Sequence, residues 1–149
     1  MKIKNTSLKS GISAFEFLIV VCILFVAFIT LSDISLFLKQ PYLVQTFGDE
    51  ILAELQNTHE CQNQNITSNI VREKIKKHFN RDVEINVDNP NNFDVFVFHD
   101  PNLKYAVTVK CRDEYMPDTV LAQVEYNGIF IYKHKKIVSE PTAATASYY

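Results

Sequence analysis

The sequence predicts an α+β protein in which a helical amino-terminal part precedes an antiparallel sheet of four or five strands. Two observations support this prediction. Residues 12–58 contain first an almost wholly apolar run and then apolar residues at helical spacing. Residues 83–134 instead contain short stretches rich in β-branched and aromatic residues, separated by turn-forming dipeptides. A chain of 149 residues suffices for one such domain and one membrane anchor, but not for two independent cores.

The apolar run covers residues 12–31. As a helix rising about 1.5 Å per residue, it spans roughly 30 Å, the thickness of the hydrocarbon core of a bilayer. Three lysines precede the run and the first charge after it is Asp33, so the amino terminus is expected in the cytoplasm and the rest of the chain outside it. The run is longer than the apolar core of a secretory signal peptide and no small-residue cleavage site follows it, which favours an anchor.

Glu16 is the only charged side chain between Lys9 and Asp33, and it lies about one helical turn inside the apolar run. A charged group at the middle of a membrane helix costs roughly 2.5 to 3.5 kcal/mol and usually marks a partner or a pathway. Nearer the end of the helix, the same carboxylate can instead stay hydrated at the membrane interface. The position of Glu16 leaves both explanations open.

Residues 9–21, KSGISAFEFLIVV, resemble the amino-terminal signature of type IV prepilins and pseudopilins. The shared features are a basic leader that ends in Gly11, an apolar helix that starts at Ile12, and Glu16 as the fifth residue counted from Ile12. The resemblance implies that a prepilin peptidase cleaves between Gly11 and Ile12, that Ile12 is N-methylated, and that Glu16 acts in assembly. The matching residues are confined to this segment, and the sequence of the head does not contribute to the resemblance.

The implied role of Glu16 has a physical basis. Cleavage would create an amine on Ile12, about 6 Å from Glu16 along the helix. Helices packed side by side with an axial stagger can pair one chain's Glu16 with the next chain's amine, and each charge is costly when left alone in an apolar bundle. The implied function is that of a structural subunit, a minor pilin, of a pilus or pseudopilus. The alternatives are a type II secretion pseudopilin and a non-polymerising single-span anchor for an extracytoplasmic binding domain.

The resemblance also implies a pilin-like organisation of the chain. Residues 1–11 would be the leader peptide, residues 12–38 the transmembrane and assembly half of a long helix, residues 39–60 its amphipathic half, and residues 61–149 a globular head with a flexible carboxyl-terminal tail. The expected partners are other pilin or pseudopilin subunits, the prepilin peptidase and the assembly platform of a bacterial inner membrane. The chain would span that membrane once, with its head in the periplasm, before entering the pilus or pseudopilus.

Two helices are expected beyond the apolar run. Apolar residues recur every four positions at Leu43, Phe47, Ile51 and Leu55. This stripe predicts an amphipathic helix packed on the sheet. Pro41 can occupy its first turn or lie within one continuous helix, and the resemblance favours the continuous helix. A shorter helix is predicted from near Ser68. Its basic run, residues 72–81, is interrupted by Glu73 and lies opposite the apolar positions, so a solvated helix face is expected and nucleic acid is not expected as a partner.

Four stretches have the composition of strands: residues 83–87, 93–98, 105–110 and 119–126. Asn127-Gly128 favours a type I′ turn that joins residues 120–126 to residues 129–134 as a hairpin. Residues 139–149 show no periodicity and predict a flexible tail or an edge segment.

Cys61 and Cys111 lie in the part of the chain expected outside the cytoplasm and can therefore form a disulfide there, whereas Cys22 lies in the apolar run and should stay reduced. The histidines are scattered singly along the sequence and match no zinc pattern, so no metal site is expected. No phosphate loop and no catalytic arrangement is recognisable, so neither enzyme activity nor a cofactor is expected. The formal net charge of −2 does not indicate a general polyanion binder.

Overall fold

The computed structural model describes residues 6–89 and 94–144, with side chains from Ser13 onward. Its fold is α+β, as predicted: one long helix packs against an antiparallel sheet, and a second helix packs beside it. Helix α1 spans Thr6–Thr58 and helix α2 spans Gln64–Phe79. Strands β1 to β6 span Asn86–Asp88, Val95–His99, Tyr105–Cys111, Pro117–Tyr126, Lys135–Val138 and Thr142–Ala143.

The sheet is a meander in which the strands follow chain order from β1 to β5, and every neighbouring pair is antiparallel. Strand β5 pairs with the second half of β4, where Tyr126 faces Lys135. Strand β6 pairs with the first half of β4, where Val120 faces Thr142. The sheet therefore has six strands rather than the predicted four or five, because part of the predicted tail forms β6. Residues 145–149 of that tail lie outside the described residues.

Helix α1 is continuous over 53 residues with Pro41 inside it, which confirms the prediction of one long helix rather than a second helix starting at the proline. Only the carboxyl-terminal half of the helix, called here its outer half, enters the core. The predicted stripe is confirmed there at Phe47, Ile51 and Leu55, which are fully buried, and Val44 beside the stripe is fully buried as well. Leu43, at the start of the stripe, is half-buried.

The core fills the space between the outer half of α1, helix α2 and one face of the sheet. Alternate residues of the central strands point into it: Phe96, Phe98, Val107, Val109, Val120, Ala122 and Val124. Helix α2 adds Ile70, Val71 and Ile75. Full burial of one large apolar side chain stabilises the fold by about 1.5 to 3 kcal/mol. The head therefore has a single core that includes the outer half of α1.

Helix α2 begins at Gln64, four residues before the predicted start at Ser68. The side-chain oxygen of Asn63 caps it by accepting a hydrogen bond from the Ile66 N–H at 3.4 Å. The first turn of α2 lies in the polar stretch before Ser68, so the spacing of apolar residues did not reveal it. The helix ends at Phe79, and the following residue, Asn80, is left-handed with φ 51° and donates its N–H to the Lys76 carbonyl.

Two strand predictions need correction. The stretch 83–87 forms a strand only from Asn86, because the antiparallel pairing with β2 starts there. The two-residue hairpin at Asn127-Gly128 is wrong: Tyr126 pairs with Lys135, so residues 127–134 form a longer connection, the β4–β5 loop. Gly128 does not have the positive φ that a type I′ turn requires. The backbone N–H groups of this loop are directed to a carboxylate on α1 instead of to β4.

Candidate functional site: the apolar half of α1 and its link to the head

Residues 13–31 of α1, the apolar segment, present their side chains outward. Every residue from position 13 to position 28 is exposed, and Phe17 is 71% exposed. By length and composition, α1 is apolar enough to cross a membrane. An apolar surface of this extent is unfavourable in water and is typical of a site that contacts a membrane or another protein.

Polar side chains at the outer end of the apolar segment are satisfied by the helix itself. The Thr30 hydroxyl donates to the Val26 carbonyl, and the Ser32 hydroxyl donates to the Phe28 carbonyl at 2.8 Å. These bonds remove the cost of an unpaired hydroxyl in an apolar environment. Near this end of the segment, these two hydroxyls therefore need no hydrogen-bond partner from the surroundings.

Glu16 lies exposed on the apolar segment between Phe15 and Phe17. The described part of the chain does not bury this carboxylate, so its burial requires a membrane or a second molecule. Gly11 and Ile12 lie in the helical backbone of α1, but the surroundings of their side chains lie outside the described residues. Along the helix, Ile12 and Glu16 are about 6 Å apart.

Asp33 links the end of the apolar segment to the head. Its side chain is fully buried. Its Oδ1 accepts hydrogen bonds from the Ile129 N–H at 3.1 Å and from the Tyr126 hydroxyl at 3.2 Å. Its Oδ2 accepts from the N–H groups of Phe130 at 3.2 Å and Ile131 at 2.8 Å. Hydrogen bonds to an ionised acceptor are roughly twice as strong as neutral ones, so this carboxylate holds the β4–β5 loop against the helix.

The conformation of the β4–β5 loop depends on its own residues as well as on Asp33. A Cβ at Gly128 would overlap Asp33 Oδ1 and would lie 2.9 Å from the Tyr132 carbonyl oxygen, so only glycine fits. The Gly128 N–H donates to that same carbonyl at 2.6 Å. The Asn127 side chain closes the base of the loop by accepting from the His134 N–H at 2.9 Å. Asn-Gly thus serves the loop's contact with the helix rather than a tight turn.

Aromatic packing holds the same loop on the helix. The Phe37 ring of α1 stacks on Tyr132 with 4.0 Å between ring centroids and 7° between planes. Phe37 also contacts Tyr126, at 5.7 Å between centroids. With its backbone and tyrosines turned toward α1, the loop directs the side chains of Ile129, Phe130 and Ile131 outward, and all three are exposed.

Sequence reasoning missed this link. Asp33 was noted only as the first charge after the apolar run, and its partners lie 93 to 99 residues further along the chain. The signal in the sequence is an Asn-Gly pair followed by the apolar tripeptide Ile129-Phe130-Ile131. Three consecutive apolar residues do not fit the alternating pattern of a half-exposed strand, and they are unusual in a loop.

The predicted disulfide is confirmed. Cys61 and Cys111 are bonded, with 5.9 Å between their Cα atoms, and they join the turn just after α1 to the end of β3 across 50 residues of sequence. Cys22 is free and exposed on the apolar segment. The head is therefore fixed to α1 near both ends of the helix's outer half, by the disulfide at one end and by Asp33 at the other.

Ion pairs join α1 to α2. Lys77 Nζ lies 2.7 Å from Glu50 Oε2, and Lys74 Nζ lies 3.3 Å from Glu54 Oε2. The Lys77 hydrogen bond is the main reason that the pKa of Glu50 falls from its ordinary 4.5 to about 2. On the same helix, Arg72 pairs with Asp82 at 2.7 Å. These basic residues are matched by carboxylates, as on a solvated helix face, and not grouped as a polyanion site.

Within residues 13–89 and 94–144, no group of three histidine, cysteine, aspartate or glutamate side chains could hold a metal ion. No family model, curated protein or solved structure matches the chain.

Proposed function

We propose that this chain is the precursor of a type IV pilin-like subunit, cleaved between Gly11 and Ile12 and assembled through the apolar segment into a pilus or pseudopilus. One observation carries the proposal: a lone carboxylate, Glu16, lies five residues after Gly11 on an exposed apolar helix whose outer half is built into a folded head. A membrane anchor needs the apolar helix but has no need of the carboxylate.

The exposed surface of the apolar segment supports both a membrane state and an assembled state. Before assembly, lipid surrounds the segment. In a filament, neighbouring helices replace the lipid, and because both surroundings are apolar the transfer has little hydrophobic driving force of its own. Charge can supply the missing specificity. Pairing Glu16 with a neighbour's Ile12 amine fixes the axial stagger, and it requires prior removal of the leader.

The attachment of the head to α1 also supports this function. A helical array repeats one geometry between subunits, so each head must keep a constant orientation on its own helix. The Cys61–Cys111 disulfide and the Asp33 contact fix the head at two separate points of α1. The core that α1 shares with the sheet also keeps the head in a constant orientation on the helix.

The intact mass of the chain purified from its native membrane tests the proposal. The expected mass lacks residues 1–11 and carries one added methyl group on Ile12. Gly11→Val is the matched variant, because a β-carbon beside the scissile bond should block the peptidase and leave the full-length precursor. A mature product of normal size from Gly11→Val would contradict the assignment of the cleavage site.

The exposed apolar segment equally fits a non-polymerising single-span anchor for a binding domain. That function predicts that residues 1–11 remain on the mature chain, so the same mass measurement separates the two. A type II secretion pseudopilin shares the processing step and differs in its assembly platform. Copurification of the mature chain with a secretion machine rather than with surface filaments would identify it.

A further inference from the structure

The outward-facing side chains of the β4–β5 loop form a compact apolar projection, the apolar tip, which consists of Ile129, Phe130 and Ile131. Their exposed fractions are 67%, 65% and 46%. Single exposed apolar residues are ordinary on protein surfaces. Three consecutive ones on a loop whose backbone is fixed by hydrogen bonds instead indicate a contact surface. The backbone of the tip is held by the Asp33 carboxylate, so the tip cannot fold back into the head without breaking those hydrogen bonds.

The position of the apolar tip along α1 identifies its environment. The tip is hydrogen-bonded to Asp33, two residues beyond the end of the apolar run at Leu31. Two residues of helix rise by about 3 Å. When residues 12–31 fill the hydrocarbon core, the tip therefore lies at the boundary between the acyl chains and the headgroups of the leaflet on the side of the head.

Basic residues follow the apolar tip directly. Lys133, Lys135 and Lys136 are exposed, and none of them takes part in an ion pair within the described residues. Between the tip and these lysines, Tyr132 lies half-buried against Phe37. Apolar side chains followed by tyrosine and lysine match the order of environments across a membrane interface, from acyl chain to phosphate.

We propose that the apolar tip and its lysines form a second membrane contact of the unassembled subunit. The tip enters the headgroup boundary of the leaflet, and the lysine ammonium groups bind phospholipid phosphates. The bilayer is the occupant rather than a second copy, because the tip is attached to the helix that crosses that same leaflet. The contact fixes the tilt and rotation of the head relative to the membrane. This inference rests on the membrane span of the proposed function and not on its assembly step.

Site-specific fluorescence on the full chain tests this contact. The chain carries Cys22→Ser and Ile129→Cys, which leaves Phe130 in place, and an environment-sensitive dye is attached to the new thiol under non-reducing conditions. Each nanodisc holds one copy. The control is the same dye at Asn69→Cys, on the exposed face of α2. Lys74 of α2 pairs with Glu54, so this control lies on the part of the head far from the apolar segment.

Lipids carrying a quencher near the headgroup should quench the dye at position 129 at least about twofold more than at position 69, and aqueous iodide should show the reverse order. Adding Phe130→Ser should reduce the lipid quenching at position 129 while leaving position 69 unchanged. Full access of iodide to position 129 in single-copy discs would overturn the proposal. Protection that arises only in discs holding several copies would also overturn it, since a second copy would then be the occupant.

Failure of the lipid contact can be distinguished from failure of the proposed function. A chain that does not span the bilayer would not be recovered in the discs. A chain that is recovered, retains residues 1–11 in its native membrane and still shows lipid quenching at position 129 would remove the filament function and leave the lipid contact standing.

Discussion

The Asp33 carboxylate is satisfied by backbone N–H groups of the β4–β5 loop and by the Tyr126 hydroxyl at the end of β4, and it lies just beyond the exposed apolar segment of α1. A carboxylate placed in this way orders the loop rather than reacting. No local rule predicts it, because its partners lie more than 90 residues away and become neighbours only when α1 packs on β4 and β5. Replacement of the charge should therefore affect the loop before the core.

Asp33→Asn is expected to release the β4–β5 loop. The asparagine amide would present one oxygen and an NH₂ group to a set of donors, and loss of a charged acceptor costs about 1.5 to 3 kcal/mol. Opening of the loop should increase by about tenfold or more. Trypsin cleavage after Lys133, Lys135 or Lys136, followed by mass spectrometry, measures this opening.

Asp49→Asn is the matched control for that variant. Asp49 lies on the same helix and accepts hydrogen bonds from Gln45 and Thr142, so its loss affects the chain near β6 and not the β4–β5 loop. Equal cleavage rates at the three lysines in wild type and Asp33→Asn would contradict the role assigned to Asp33.

The ion pair between Glu50 and Lys77 should make a pH-dependent contribution to the stability of the fold. The pKa of Glu50 in the folded chain is lowered to about 2, chiefly by Lys77, so the stabilisation is complete above about pH 4.5 and is lost as the pH falls toward 2. Lys77 is 58% exposed, so screening reduces the contribution to about 1 kcal/mol. Glu50→Gln should lower the free energy of unfolding by that amount at neutral pH and by progressively less below pH 4.5.

Urea unfolding of the detergent-solubilised chain, followed by near-ultraviolet circular dichroism of its tyrosines, measures this difference. Glu73→Gln is the control, because Glu73 lies exposed on α2 and forms no ion pair within the described residues. A deficit in Glu50→Gln that stays constant from neutral pH to pH 2 would show that the effect is not electrostatic.

Elements whose formation depends on local pattern were predicted well from the sequence. The predicted stripe is fully buried at Phe47, Ile51 and Leu55 and half-buried at Leu43, and β3 and β4 lie where their β-branched residues placed them. The hairpin after Tyr126 was wrong because tertiary hydrogen bonds to Asp33 outweigh the turn preference of Asn-Gly. The start of α2 was missed because it depends on a cap at Asn63 rather than on apolar spacing.

The disulfide between the end of α1 and β3 should make a large contribution to the stability of the head. Closing a loop of 50 residues is worth about 4 kcal/mol on the chain-entropy model. Reduction, or Cys61→Ala with Cys111→Ala, should lower the urea midpoint accordingly, whereas Cys22→Ser should leave it unchanged. In unfolded, unreduced protein, thiol labelling should modify Cys22 alone. Labelling of all three cysteines would refute the pairing.

At the scale of the whole molecule, the chain combines an exposed apolar segment with a head fixed to the same helix. The sequence predicted the apolar helix, because that helix depends on a short contiguous pattern, whereas cleavage between Gly11 and Ile12 and the role of Glu16 stay predictions from the same segment. It did not predict the Asp33 contact or the apolar tip, since both arise from the packing of distant parts of the chain. The functional surfaces are therefore partly encoded in local sequence and partly in the fold.

The proposed assembly depends on the Glu16 carboxylate. Glu16→Leu removes the one charge of the apolar segment, so membrane insertion should stay the same or improve, and the head should fold as before. Assembly should fail, because a neighbour's Ile12 amine would enter the helix bundle without a counter-charge. Stranding one member of a buried pair costs about 3 to 5 kcal/mol, which shifts association by about two to three orders of magnitude.

The decisive measurement compares the amount of chain in sheared filaments with the amount left in the membrane, after equal cleavage has been verified. The matched control is Val20→Leu, an apolar change one helical turn further along the exposed segment, which should assemble like wild type. Processed Glu16→Leu should accumulate in the membrane and be depleted from filaments by about a hundredfold or more. Undiminished incorporation of Glu16→Leu into filaments would show that the carboxylate has no role in assembly.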